Sequence, residues 1–310
     1  MVTRIYTDPV YAKHEMPRGH PESALRMGAV DAALKSLPAG LAEQHTAAPI
    51  SFEAIARAHP SAYIERLDAL VPETGMIALD PDTHAGPHSL IAARTASGSL
   101  AEAIDAVMDQ EATNAFIASR PPGHHAERTR AMGFCLINHV AIGARHAIAV
   151  HGVERVAIID FDVHHGNGTQ DIFWDDPSVL YVSTHQSPHY PGTGAASETG
   201  AGNILNLPLS AGTDGARYRP IFKDHVVSAV DAFAPDLLIL SAGFDAHRDD
   251  PLGDIRLTED DFVWITQEMM DCADRSCGGR LVSLLEGGYD LAALGRCVAA
   301  HVTTLASANS

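Results

Sequence analysis

Short apolar runs alternate with longer amphipathic stretches along the chain. Most of the short runs are continuously apolar and rich in β-branched residues, as in strands that are buried on both faces. They predict strands at Arg4–Tyr6, Ala115–Ala118, Val156–Asp160, Val179–Ser183, Leu237–Ser241 and Leu281–Leu285. The amphipathic stretches predict helices at Glu22–Leu37, Ser89–Met108, Asn138–His151, Tyr218–Phe233, Glu259–Ala273 and Leu291–Ala306. This alternation predicts an α/β fold in which helices cover both faces of a mostly parallel sheet.

Nothing in the composition divides the chain into separate units. Hydrophobic residues make up 46% of its 310 residues and charged residues 19%, which is ordinary for a globular protein with a full core. No Ser/Gly/Pro-rich linker, charge run or internal repeat interrupts the alternating pattern. Residues 1–310 are therefore predicted to form a single domain.

The chain is strongly acidic, with 39 Asp and Glu against 21 Lys and Arg and a formal net charge of −18. Such a surface repels phosphate backbones, so no direct binding to nucleic acid is predicted. The acidity mainly gives solubility, and it also favours the approach of cationic substrates.

The amino-terminal residues and the cysteines indicate a cytoplasmic protein. The first residues lack the basic-then-apolar pattern of a signal peptide, and no apolar run is long enough to span a bilayer. No CxxC pair occurs, and the spacing fits reduced thiols at Cys135, Cys272, Cys277 and Cys297. We therefore predict a cytoplasmic location without membrane attachment, and the sequence is compatible with a homo-oligomer.

Four of the predicted strands run into polar or glycine-rich segments. Ala115–Ala118 is followed by SRPPGHH, Val156–Asp160 by FDVHHGNG, Leu237–Ser241 by AGFDAH, and Leu281–Leu285 by EGGYD. Ligands of open α/β sheets bind at the carboxyl ends of the strands. These four segments, although distant in sequence, are therefore expected to converge on one pocket.

An aspartate–histidine pair and a later aspartate have the character of metal ligands. Asp162 and His164 lie two residues apart beyond a strand, so an extended backbone directs both side chains to the same side. With Asp245 they offer one nitrogen and two carboxylates, a set that zinc accepts while it keeps a position open for water. Zinc lowers the pKa of such a water to about 7, which provides hydroxide at neutral pH. These residues predict a catalytic zinc site.

Two adjacent histidines, His124 and His125, follow the rigid RPPG turn. One can act as a general base while the other orients groups and stabilises charge. Each needs a partner on its second ring nitrogen, and Asp160 and Asn167 are candidates from the metal-site segment. Such a pair alone more often has a structural role, but its position at a strand end favours catalysis.

Tyr289 lies in the EGGYD segment, where two glycines permit a turn that presents the aromatic ring. Its phenol can donate a hydrogen bond to the oxyanion that forms when hydroxide attacks an amide carbonyl. The alternative is a tyrosine that starts the last helix and packs there.

Together these residues resemble the zinc-dependent histone deacetylase and acetylpolyamine amidohydrolase superfamily. The similar segments follow the family's order and span almost the whole chain: His20–Glu22, Arg120–Asn138, Ile158–Gln170, Ser183–Gly194, Ser241–Asp245 and Leu285–Leu291. The resemblance implies the arginase–deacetylase fold, with about eight mainly parallel strands and helices on both faces. It also implies zinc-dependent hydrolysis of an N-acetylated amine, with release of acetate and a free amine.

The resemblance assigns roles to residues of the four segments. Asp162, His164 and Asp245 match the zinc ligands. The tandem histidines, their partner carboxylate and the carbonyl-polarising tyrosine match His124, His125, Asp160 and Tyr289. His125 is the usual general base and acid. Asn167 stands where some members carry aspartate, which is similar to the class II branch and to bacterial-type histone deacetylase-like amidohydrolases. Because an amide carries no charge, it should leave His125 less basic than a carboxylate would.

Further matches imply the substrate pocket. Gly133, Phe134 and Tyr190 fall where the family lines a tunnel for an acyl-lysine chain. Arg26 matches an arginine of the inner channel that releases acetate. Leu252 stands where one branch specific for polyamines has an acidic gatekeeper, which weakens a strictly polyamine-specific interpretation. The other acids of the rim are expected to be solvated loop carboxylates: Asp80, Asp82, Asp249 and Asp250.

The resemblance also implies structural potassium beside the zinc, since hard oxygen ligands suit an alkali cation. One matching site consists of oxygens of Asp160, Asp162, His164, Ser183 and Thr184. A second site is expected near Phe173 and Val179. Iron(II) is the alternative to zinc at the catalytic site.

Other functions that could share this fold remain as alternatives. A binuclear manganese ureohydrolase builds its second metal site from DxHxD and DxD patterns. Here the equivalent stretches read DVHHG from Asp162 to Gly166 and DAH from Asp245 to His247, so the second site lacks carboxylates. A non-catalytic binder of acyl-lysine, or a hydrolase of another small amide, would use the same pocket. The substrate is expected to be an acetyl-lysine protein or a small molecule such as an acetylpolyamine.

Overall fold

The computed structural model describes residues 2–307, and an eight-stranded parallel sheet forms its centre. The strands are β1 (Thr3–Tyr6), β2 (Ala42–His45), β5 (Asn114–Ile117), β6 (Val156–Asp160), β7 (Val179–Gln186), β8 (Ile204–Leu209), β9 (Leu237–Ala242) and β10 (Leu281–Leu285). A separate antiparallel pair consists of β3 (Ile77–Asp80) and β4 (Thr83–Ala85). The order across the main sheet is β2-β1-β5-β10-β9-β6-β7-β8, and every neighbouring pair is parallel.

Helices connect these strands and cover both faces of the sheet. They are α1 (Leu25–Lys35), α2 (Phe52–Ile55), α3 (Ser61–Leu70), α4 (Ser89–Met108), α5 (His139–His151), α6 (Asn167–Phe173), α7 (Gly215–Ile221), α8 (Ser228–Phe233), α9 (Glu259–Cys277) and α10 (Leu291–Ala306). A 3₁₀ helix spans Pro9–Lys13, and a π-helical turn at Phe222–Val227 joins α7 to α8. The helix predicted at Tyr218–Phe233 therefore begins earlier and contains a π turn.

The alternation of side chains along the strands divides the core between the two faces. In β6, Ala157 and Ile159 pack into the cluster that includes α1, α9 and α10, whereas Val156 and Ile158 pack into the cluster that includes α3 and α5. Successive side chains of a strand point to opposite faces, so a strand buried on both sides must be apolar throughout. This requirement explains why the central strands were recognisable in the sequence.

The predicted α/β architecture is confirmed, but the sequence analysis did not predict four strands. β2 and β8 lie at the two edges of the sheet, and β3 and β4 form the small hairpin. β2 reads AEQH and β8 contains Pro208, both of which are tolerated at a sheet edge. Across residues 2–307, the structure has no helix that is both long enough and apolar enough to span a membrane.

Candidate active site

The three predicted metal ligands lie together beyond the carboxyl ends of two adjacent strands. Asp162 and His164 follow β6, and Asp245 follows β9. All three are buried, and one ligand atom from each lies within 4.8 Å of the others. His164 Nδ1 is 3.0 Å from Asp162 Oδ1 and 3.2 Å from Asp245 Oδ2. The side chains that the sequence analysis selected therefore meet at one point.

Backbone groups hold both carboxylates in place. Val163 N donates to Asp245 Oδ1 at 2.8 Å, and Gly287 N donates to Asp162 Oδ2 at 2.8 Å. A Cβ atom at position 287 would overlap both carboxylates, so only glycine permits this approach. The glycine of the EGGYD segment is thus part of the site's framework.

The electrostatics of this centre fit a divalent cation. Asp245 Oδ2 is buried and has no hydrogen-bond partner among the described residues, although His164 Nδ1 lies 3.2 Å away. Burial, and then the charge of Asp162, raise the pKa of Asp245 to about 7. Burial opposes protonation of His164, but the two carboxylates outweigh it and raise its pKa to about 10. Two buried carboxylates around one imidazole require positive charge, and this donor set is one that zinc accepts.

The arrangement supports one metal ion here rather than two. Over residues 2–307, no further histidine, cysteine or carboxylate joins the three ligands at this distance. Gly166 stands where a second metal would need a carboxylate, and its neighbour His165 contacts Thr193 Oγ1 through Nδ1 and Gln170 Oε1 through Nε2. The geometry therefore disfavours the binuclear ureohydrolase alternative.

His124 lies between two carboxylates, Asp160 and Asp162, at the end of β6 and directly after it. Its Nδ1 lies 2.9 Å from Asp160 Oδ2, and its Nε2 lies 3.9 Å from Asp162 Oδ1. Tyr181 also donates its hydroxyl to Asp160 Oδ2 at 3.0 Å. Burial disfavours the charged imidazole, but Asp160 and Asp162 raise the pKa of His124 well above its usual value. His124 is therefore suited to carry a positive charge rather than to act as a base.

His125 has the opposite character. Its Nδ1 lies 2.8 Å from Asn167 Oδ1, and the amide orientation is fixed because Asn167 Nδ2 donates to Glu127 Oε1 and Met132 Sδ. Nδ1 must then carry the proton, which leaves a lone pair on Nε2. Burial, and then the neighbouring His124 and His164, hold the pKa of His125 well below its usual range. The lowered pKa favours the neutral imidazole that the sequence analysis expected at this position.

A narrow cavity of about 210 Å³ opens onto this centre. The predicted pocket residues Gly133, Phe134, Tyr190 and Leu252 surround it, whereas Arg26 does not line it. His189 is the lining residue to which the sequence analysis gave no role. The lining consists of Asp82, His125, Gly133, Phe134, His164, His189, Tyr190, Leu252 and Tyr289. Tyr190 is 36% exposed and lies at the mouth. Such a cavity has room for a slim aliphatic chain.

Arg26 anchors the loop that carries Tyr289 from the buried side. The fully buried guanidinium of Arg26 donates to Gly288 O at 2.7 Å and to Glu286 O at 2.5 Å, and it lies 5.0 Å from the centre of the Tyr289 ring. Burial raises the pKa of the Tyr289 phenol well above its usual value. The phenol is therefore a proton donor at all ordinary pH values.

Asp250 anchors the same loop from the other side, which corrects its interpretation as a solvated loop carboxylate. It is buried, and its Oδ2 accepts hydrogen bonds from Tyr289 N at 2.6 Å and Asp290 N at 3.1 Å. Its Oδ1 accepts from Leu252 N at 2.9 Å. One carboxylate thus ties the tyrosine loop to the leucine of the pocket rim.

We expect Asp250→Asn to lower kcat by about 10- to 100-fold, the usual range for outer-shell partners of a catalytic site. The amide would present an NH₂ group to one of the backbone N–H donors, and Tyr289 would lose its fixed position. Asp249→Asn is the control because Asp249 is the exposed neighbour that pairs with Arg296. Steady-state kinetics with metal analysis checks this. An Asp250→Asn enzyme with wild-type kcat would rule out the positioning role.

Glu286 is a second residue that the sequence analysis missed. Its buried Oε2 accepts hydrogen bonds from Gly123 N at 2.7 Å and His124 N at 3.2 Å, and Ser241 Oγ donates to Oε1 at 3.0 Å. Glu286 therefore joins the segments that follow three strands. An acid between a buried strand and two glycines was the available signal, but its partners follow from tertiary structure alone.

The side chains predicted for potassium have other partners in this structure. Ser183 Oγ lies 2.9 Å from His185 Nδ1, and Thr184 Oγ1 lies 2.7 Å from Tyr218 OH. At the second predicted site, the carbonyls of Phe173 and Val179 accept hydrogen bonds from Asn203 Nδ2. Potassium binding stays a prediction.

Comparisons with known proteins agree with the fold and with the family resemblance. Residues 20–305 match the family model described as the histone deacetylase domain. The chain is 41% identical to an uncharacterized protein of Synechocystis, over 96% of this chain and 97% of the other. It is 42% identical to the histone deacetylase-like amidohydrolase of Pseudomonas aeruginosa, over 86% of this chain and 71% of the other.

A solved structure is similar over almost the whole chain. The crystal structure of the HDA15 HD domain superposes with a TM-score of 0.92 at 36% identity, and it covers 99% of this chain and 88% of its own. The predicted arginase–deacetylase fold is thereby confirmed.

Proposed function

This chain belongs to the histone deacetylase family, and from that premise we propose that it is a zinc-dependent deacetylase of N-acetylated amines. Its substrates are of the acetyl-lysine or acetylpolyamine type, and its products are acetate and a free amine. The observation that carries the proposal is the narrow pocket, which opens onto three buried metal ligands beside a neutral histidine and a buried tyrosine.

Asp162, His164 and Asp245 would hold a zinc ion, which would supply Lewis acidity to polarise the acetyl carbonyl and to favour deprotonation of water. Side chains of the pocket carry out the proton transfers. His125 Nε2 has a lone pair and faces the pocket, so it accepts a proton from the attacking water and returns it to the leaving amine. Asn167 keeps the imidazole in the required tautomer throughout.

Two groups respond to the negative charge that develops on the carbonyl oxygen. Tyr289 donates its phenolic hydrogen, and its raised pKa ensures that the hydrogen is present. His124, whose pKa is raised by Asp160 and Asp162 against the effect of burial, supplies positive charge nearby. These groups act most strongly where water is excluded.

The apolar walls select the shape of the substrate. Phe134 and Tyr190 flank the pocket, and the ring edge of His20 packs against Phe134 at 4.7 Å between centroids. His20 also contacts Asp82 O through Nε2 at 3.1 Å, so it connects the tunnel wall to the rim. Such walls suit the methylene chain of an acetylated lysine or polyamine.

Tyr289→Phe is expected to lower kcat by about 10²- to 10³-fold, because one donor to the oxyanion is lost. The measurement is acetate release from an acetyl-lysine peptide and from acetylated putrescine or spermidine in parallel. Metal content should not change, since the phenol is not a ligand.

Tyr190→Phe is the matched control, because it removes the same hydroxyl from another tyrosine of the pocket and keeps the ring. We expect a much smaller loss from this variant. Full activity of Tyr289→Phe would refute the oxyanion role. If the zinc-loaded wild type released no acetate from any of these substrates, another small amide or a non-catalytic binding role would be favoured.

A further inference from the structure

A second group of metal-binding side chains lies on the outer helix layer, away from the pocket. Asp105 is in the last turn of α4, and His146 and His151 are in the second half of α5. His146 Nε2 and His151 Nε2 each lie 2.7 Å from Asp105 Oδ1. Within residues 2–307, this cluster and the pocket triad are the two such groups whose ligand atoms all lie within 4.8 Å of one another.

The cluster is remote from the catalytic centre. α5 begins at His139, whose Nε2 contacts Pro121 O in the turn before the tandem histidines. His151 lies twelve residues further along the helix, which corresponds to about 18 Å at 1.5 Å per residue. The cluster therefore lies towards the amino ends of the parallel strands, whereas the pocket lies beyond their carboxyl ends.

The helix packing holds the cluster in place. Gly143 of α5 lies directly against Leu100 and Ile104 of α4, and a Cβ at position 143 would be too close to both side chains. On α4 this contact is adjacent to Asp105, and on α5 it lies about one turn before His146. The two histidines thus reach the carboxylate from a fixed helix pair, without a flexible loop.

Burial and charge also suit a cation. The imidazole side chains are only 13% and 14% exposed, whereas Asp105 is 42% exposed and provides access from solvent. Burial alone would raise the pKa of Asp105, but the two histidines hold it below its usual value. Among residues 2–307, no lysine or arginine forms an ion pair with this carboxylate.

The donor set fits zinc and neighbouring divalent transition metals. Two imidazole nitrogens and one carboxylate oxygen form a known three-ligand zinc set, with the fourth position left for water. Metal bonds of about 2.1 Å at tetrahedral angles separate ligand atoms by about 3.4 Å, so each imidazole nitrogen needs to move less than about 1 Å away from Asp105 Oδ1. We propose that Asp105, His146 and His151 form a second, non-catalytic zinc site that ties α4 to α5.

Equilibrium dialysis of zinc against the Asp245→Ala chain tests this site. That substitution breaks the catalytic ligand set, so the remaining zinc reports on the Asp105 cluster. We expect one zinc per chain, and we expect adding His146→Gln and His151→Gln to weaken its binding by about 100-fold or more, since two of three ligands are lost. Zinc should also raise the melting temperature of the Asp245→Ala chain, and the added substitutions should abolish this shift.

His225→Gln is the control, because His225 is an exposed histidine on the π-helical turn, outside the cluster. It should leave zinc binding unchanged. The absence of zinc from Asp245→Ala, or zinc binding that survives the two substitutions in the cluster, would overturn the proposal. Neither outcome depends on catalysis, so the result stands apart from the proposed deacetylase function.

Discussion

Asp245→Ala is expected to lose the zinc of the pocket and to lower deacetylase activity by about a thousand-fold or more. The substitution removes one of the three proposed ligands, and Asp245 Oδ2 is a buried carboxylate oxygen that has no hydrogen-bond partner in the described structure. A catalytic metal supplies several kcal/mol of transition-state stabilisation, and about 1.4 kcal/mol corresponds to a factor of ten in rate. Metal analysis and acetate release, measured on the same preparation, check both expectations.

A control variant separates loss of the metal from general damage to the loop. Asp249→Ala removes an exposed carboxylate from the same loop, and its pairing with Arg296 lies at the surface. This variant should keep its metal and most of its activity. Asp245→Asn is a second test that keeps the side-chain shape, so poor folding of Asp245→Ala would not leave the question open. Wild-type turnover by the asparagine variant without bound metal would exclude metal-dependent hydrolysis.

His125→Ala is expected to lower kcat by about 10²- to 10⁴-fold, the usual contribution of general acid–base catalysis, and to retain the metal. Retention distinguishes this variant from Asp245→Ala, because His125 is not among the three ligands. The measurement is kcat together with metal content per chain. An active His125→Ala enzyme would show that the proton acceptor lies elsewhere.

Asn167→Ala provides a graded comparison with His125→Ala. It removes the acceptor for His125 Nδ1 but leaves the imidazole in place. We expect a smaller loss of kcat than for His125→Ala, because the base remains while its tautomer is no longer fixed. A loss as large as that of His125→Ala would mean that Asn167 contributes more than orientation.

The central strands and the ligand triad could be predicted because their patterns are local. β6 and β9 are apolar except for Asp160 and Ser241 near their ends, and Asp162, His164 and Asp245 follow within four residues. The edge strands β2 and β8 could not be predicted, because a polar AEQH segment and a segment with Pro208 do not show the pattern of a buried strand. Position at the edge of a sheet relaxes that pattern.

The supporting residues of the site depend on contacts between distant segments. Asp250 lies in an acidic loop, and its sequence neighbours suggested solvent exposure, yet it binds Tyr289 N across 39 positions. Glu286 reaches Gly123 N across 163 positions. The pattern of apolar and polar residues does not reveal such hydrogen-bond partners, because the backbone donors come close to the carboxylates only when the strands assemble into the sheet. The ligands could therefore be found from the sequence, whereas the residues that hold them in place could not.

The most direct test is a zinc titration of the metal-free wild-type chain, with acetate release from an acetyl-lysine peptide and from acetylspermidine followed in parallel. We expect no turnover without metal and a rise in activity that is complete at one catalytic zinc per chain, even where a second zinc binds at the Asp105 cluster. Asp245→Ala should stay inactive at every zinc concentration. Full turnover by the metal-free chain, or no acetate from either substrate once zinc occupies the pocket, would contradict the proposal of a zinc-dependent deacetylase.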